Sequence, residues 1–177
     1  MANRLELVRQ AIDEMLRQQP DLADRRCGFV HLYGVAQTCA LLALRRGLEP
    51  ELCTTAGMLH DIWSYKTGDP TDHAALGSVE AQRILSELGC FAEAETATVG
   101  TAIARHSDKG QVHRDFDEVL RDADVLQYYL YNTSFEPLEY MKPRLAAVLG
   151  ELGAAQTRPA GDGCASVLER EHYRLPT

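Results

Sequence analysis

Residues 50–66, PELCTTAGMLHDIWSYK, decide how this chain is read. Pro50 suits the first turn of a helix, where its missing N–H would have had no partner. Leu52, Ala56, Leu59 and Trp63 then recur at helical steps of four, three and four. His60 lies on that apolar stripe and Asp61 follows it directly. The spacing predicts a helix from Pro50 to about Trp63 that carries an imidazole and a carboxylate to its inner face.

The same anomaly recurs on both sides of this stretch. Upstream, His31 aligns with Val35, Thr38 and Leu42. Downstream, His73 lies on the stripe of Gly77, Ala81, Leu85 and Leu88, and His106 completes Val99, Ala102 and Ile103. Asp124 falls four residues after Leu120, within DADVLQ. One histidine on an apolar face is most often a hydrogen-bonded core residue. Five predicted helices that each turn an imidazole or a carboxylate inward make a different case. Burying two ionised carboxylates without compensation costs several kcal/mol or more. Lys66, Arg105 and Lys109 are near enough in sequence to offer counter-charge, but they leave four histidines unexplained. A divalent cation satisfies acids and imidazoles together. Imidazole plus carboxylate without thiolate suits Fe, Mn, Co, Ni or Zn, and is a poor set for Ca or for Mg alone. If all six side chains ligate, two ions bridged by Asp61 are expected; without His73, one ion remains.

Helical periodicity dominates the rest of the chain, and no segment alternates as a strand would. Helices are predicted over about residues 3–18, stopping at Pro20, and from near Phe29 to Arg46, ending at Gly47. A loop is expected over Ser64–Pro70, then helices from Thr71 or Asp72 to Leu88 and over about 92–106, 115–131 and 136–150. The Gly-, Ala- and Pro-rich stretch between Gly150 and Gly163 reads as a linker to a short final helix at about 163–173.

Bulk properties narrow the function. The 177 residues suit one domain with a small appendage, and 45% hydrophobic content supports a real core. A net charge of -8 argues against an extended basic surface for nucleic acid. Cys27, Cys39, Cys53, Cys90 and Cys164 form no C-x-x-C pair, which favours reduced thiols over a disulfide framework or a zinc cage. The N-terminus lacks the apolar core of a signal peptide, and no segment reaches the ~18 apolar residues expected of a membrane span. The expected location is the cytoplasm, with no membrane partner; a homo-oligomer is compatible with all of this.

The pattern His31 … His60-Asp61 … His106 … Asp124 resembles the HD-domain superfamily of metal-dependent phosphohydrolases. The matching segments are FVHLYGVA, TAGMLHDI, DHAALGSVEAQRIL, AIARHSDK and VLRDADVL, over about residues 28–130. The resemblance implies an all-α, compact HD-domain-like bundle of about six to eight helices. It assigns 1–150 to the HD-type domain and 151–177 to the appendage. It implies His31, His60, Asp61, His73, His106 and Asp124 as ligands of one or two divalent transition metals. His73 and His106 make the site look like the dinuclear branches, closest to the dinucleoside tetraphosphate hydrolases. Where many members have a lysine three residues after the doublet, this chain has Ser64, with Lys66 two positions further on.

The implied activity is hydrolysis of a phosphoester or phosphoanhydride in a small phosphorylated substrate, a nucleotide being one candidate. Asp61 would hold the metal and Lys66 would contact phosphate. Asp108 would act as general acid or orient His106. Arg105 and Lys109 would join Lys66 in binding substrate. Two other functions fit the same residues: a non-catalytic metal- or ligand-binding helical module, and a di-iron oxygenase.

Overall fold

The computed structural model describes residues 3–108, 111–134 and 136–154. Lys109 and the predicted final helix lie outside the described residues, as do Cys164 and most of the 151–177 appendage. Eight helices occur among the described residues: α1 (Arg4–Gln18), α2 (Leu22–Arg46), α3 (Pro50–Leu59), α4 (Ile62–Thr67), α5 (His73–Leu88), α6 (Glu93–Arg105), α7 (Asp115–Tyr131) and α8 (Lys142–Glu151). The fold is all-α, as the periodicity requires.

The central element is α2, which packs against α3 on one side and α7 on another. It begins at Leu22, seven residues before the predicted start near Phe29. The reason is local: Asp21 caps it, its carboxylate accepting from the N–H groups of Ala23 and Asp24 at 2.8 and 2.9 Å. By length and composition α2 could cross a bilayer, contrary to the sequence expectation. Its inner face, including Leu32, Val35, Cys39 and Leu42, is buried within the protein instead.

Helix α3 is buried all round from Cys53 to Leu59, the pattern of a core helix. It crosses α2 so closely that a Cβ on Gly57 would lie 2.7 Å from the Ala36 Cα. The predicted single helix to Trp63 breaks at the histidine–aspartate doublet. Asp61 leaves helical geometry at φ -108° and ψ 19°, and the chain restarts as α4 through Thr67, so Ser64–Thr67 is helix and not loop. The break turns both side chains of the doublet toward one point.

The flanks are tied by polar contacts. The Ser78 hydroxyl donates to the Gly100 carbonyl at 2.7 Å, joining α5 to α6. Arg46 on α2 pairs with Asp122 on α7 at 2.6 Å and with Glu151 on α8 at 2.7 Å. Arg144 on α8 reaches Glu118 at 2.7 Å and Asp122 at 2.5 Å. Helix α8 starts at Lys142, not near 136, with Pro143 in its first turn.

A Gly57→Ala substitution tests the α2–α3 crossing. Alanine favours an isolated helix by roughly 1 kcal/mol, but here its methyl would press on backbone that cannot yield like a side chain. The variant is expected to be less stable by about 1–3 kcal/mol in urea denaturation. A gain in stability would show that the crossing is not tight.

Candidate metal centre

Each candidate ligand is placed by its own helix geometry. His60 caps the C-terminus of α3, where its Nδ1–H donates to the Gly57 carbonyl at 2.9 Å. His106 does the same after α6, donating to Ile103 O at 2.7 Å. His73 opens α5 and donates to Pro70 O at 2.9 Å. The turn before it passes through Asp72, a non-glycine residue held in the left-handed region at φ 50°. His31 sits within α2 and donates to the Gln127 side-chain oxygen, 2.9 Å away on α7. Four imidazoles thus turn an N–H outward to an oxygen, which leaves each neutral ring with an Nε2 lone pair.

Those four Nε2 atoms surround Asp61. Its Oδ2 is 3.3 Å from His31 Nε2 and 3.3 Å from His60 Nε2. Its Oδ1 is 3.3 Å from His106 Nε2 and 3.8 Å from His73 Nε2. Asp124 Oδ1 joins the first group, 3.5 Å from His31 and 3.8 Å from His60. The structure therefore brings all six predicted ligands together, with one oxygen of Asp61 facing each half. His31, His60 and Asp124 form one potential metal-binding group, and His60, Asp61 and His106 another.

The cluster is not satisfied by hydrogen bonds alone. His31 Nε2 and His60 Nε2 stand 3.0 Å apart. With both Nδ1 atoms protonated, that is a meeting of two lone pairs. Asp61 Oδ1 is buried and receives no hydrogen bond. Among the described residues, every ion pair of Asp61 and Asp124 is with histidine. Burial pushes the His31 and His60 pKa values down, yet the two carboxylates outweigh it and hold both above the ordinary value. Burial likewise pushes Asp61 up, but His60, His106 and His31 together hold it well below the usual carboxylate range. Donor type, convergence and the orphaned oxygen all fit divalent cations.

The predicted substrate contacts are placed differently. Lys66 Nζ lies 2.8 Å from Glu80, which also binds Arg83, and so links α4 to α5. Arg105 pairs with buried Asp117 at 2.9 Å, tying α6 to α7. Both cations therefore already have carboxylate partners. Asp108 does not orient His106, whose Nδ1 is taken by Ile103; it lies 3.2 Å from His113 Nε2. The His113 side chain is only 14% exposed.

Three polar residues beside the site went unread in the sequence. Gln127 follows Asp124 by three positions, a same-face spacing that could have found it. Ser107 Oγ lies 2.9 Å from His73 Nε2 and 3.3 Å from His106 Nε2. Buried Arg121 donates to the carbonyls of Gln111, at 2.7 Å, and of Asp108, holding the segment after His106. No local pattern announces those last two.

The HD domain family model matches residues 28–129, more than half of the chain and the span that contains all six candidate ligands. No curated protein and no solved structure matches the chain.

The Lys66–Glu80–Arg83 cluster predicts a pH effect. Arg83 foremost, and Lys66, hold the Glu80 carboxyl at about 2 against an ordinary 4.5. A carboxyl depressed on folding stabilises fully above its unfolded pKa, and that contribution fades as pH falls from about 4.5 toward 2. Thermal melts of wild type and Glu80→Gln should differ at pH 6 and converge toward pH 2. A gap independent of pH would rule out the ion pair as its source.

Proposed function

The chain belongs to the HD domain family, and from that premise we propose that it is a metal-dependent phosphohydrolase acting on a small phosphorylated metabolite, with nucleotides as the first candidates. The observation that carries the proposal is Asp61, a buried carboxylate with imidazole nitrogens facing each of its oxygens and with Oδ1 left without a hydrogen bond. That arrangement supports a pair of cations bridged by Asp61. His31, His60 and Asp124 would hold one ion; His73 and His106 would hold the other. Bound divalent ions supply a nucleophile from water near neutral pH and neutralise charge on phosphoryl oxygens.

The protein's own groups do the rest. The outward Nδ1–H bonds fix all four rings, so the donors are in place before any ligand arrives. Asp124, 29% exposed, and His73, 13% exposed, form the wetter rim, whereas His31, His60, Asp61 and His106 are each at most 5% exposed. Substrate would therefore approach along the edge between Asp124 and His73. Lys66 and Arg105 are held by Glu80 and Asp117, so phosphate recognition would rest chiefly on the metal centre. Asp108, paired with His113 on the segment after His106, is the proposed proton donor to the leaving oxygen.

Metal content and turnover on a panel of nucleotides, dinucleoside polyphosphates and simple phosphate esters test the proposal together. Wild type is expected to bind Fe, Mn, Co, Ni or Zn, with about two equivalents for the two-ion arrangement. It should lose phosphate release on chelation and regain it on re-addition of metal. Asp61→Asn should bind less metal and turn over at least about 100-fold more slowly. Metal binding without turnover on any phosphate would point to the non-catalytic module, and oxygen consumption by an iron-loaded form to the oxygenase.

A further inference from the structure

Three of the four imidazoles in the cluster orient themselves. His60, His73 and His106 each donate Nδ1–H to the carbonyl three residues earlier, at a helix end; Pro70 O and Ile103 O accept the backbone N–H of the same histidine as well. His31 does not do this. It lies within α2, away from either helix end. Its Nδ1–H goes instead to Gln127 Oε1 on α7, at 2.9 Å.

We propose that Gln127 is the positioning residue of this centre, and that Gly34 exists to admit it. Gln127 sits one turn beyond Asp124, so a single face of α7 delivers both a carboxylate toward the cluster and the acceptor that sets the His31 ring. Gly34 lies one turn beyond His31 on α2. A Cβ there would stand 2.8 Å from Gln127 Cγ and 3.0 Å from its Nε2. Relieving that clash moves the amide away from His31. The pair thus couples the α2–α7 crossing to the tautomer of one ligand: Nδ1 protonated, Nε2 presented to Asp61 and Asp124.

The inference rests on the metal-centre reading above, and its test separates the two. Nitrogen-15 NMR of the metal-free protein reads the His31 tautomer directly. Wild type and Gln127→Glu, which keeps an oxygen acceptor, should show Nδ1 protonated. Gln127→Leu and Gly34→Ala should show a mixture of tautomers. Titration with Mn(II) or Zn(II) should then give a loss in affinity of about 10- to 100-fold for the Leu and Ala variants, with Gln127→Glu close to wild type. Circular dichroism melts check that each variant is folded; Gly34→Ala, which adds only a methyl on α2, serves if Gln127→Leu does not fold. Unchanged tautomer and unchanged affinity in folded variants would overturn the inference. Wild type that binds no metal, with the tautomer shift still present, would overturn the metal reading and leave the positioning intact.

Discussion

The structure depends on one buried carboxylate. Asp61 sits at the break between α3 and α4, with an oxygen toward each of two imidazole pairs and no Lys or Arg in contact among the described residues. An ionised group in such a place is tolerable only if positive charge comes to it. The protein brings four histidines, each with Nδ1 taken by an oxygen and Nε2 turned inward. That convergence of Nε2 atoms and carboxylate oxygens is an arrangement of donors that cations would satisfy.

The fold serves this requirement at some cost to itself. A continuous α3 would have satisfied more backbone groups, yet the chain interrupts it at the doublet. The interruption frees the Gly57 carbonyl to hold His60 and swings Asp61 into the cluster. Asp72 accepts a left-handed conformation just before His73. Departures of this kind from ordinary local preference concentrate at functional sites. Away from the centre the structure is orthodox: Asp21 and Asn3 cap their helices, glycines end α2 and α5, and ion pairs knit α2, α7 and α8.

The peripheral charges show how proximity in sequence misleads. Lys66 and Arg105 lie within a few residues of proposed ligands, and each is joined to a carboxylate from another helix. A helix advances its side chains by about 100° per residue, so neighbours of a ligand commonly face elsewhere. The same geometry carried Gln127, remote from His31 in the chain by 96 residues, into direct contact with it.

Periodicity therefore determined the helical class and pointed to the six inward polar residues, because a polar side chain on an apolar stripe is visible within two turns of local sequence, and the order of those residues along the chain carried the resemblance to the family. The α3 break was not legible, since LHDIW continues a helical pattern without glycine or proline to mark a stop. Nor could the chain show which atom of Asp61 faces which histidine, what holds each ring, or whom Lys66, Arg105 and Asp108 meet. Those are relations between side chains on different helices, set by crossing angles and close approaches such as Gly57 on Ala36 and Gly34 on Gln127. Residue type and spacing chose the candidate ligands; only packing could aim them.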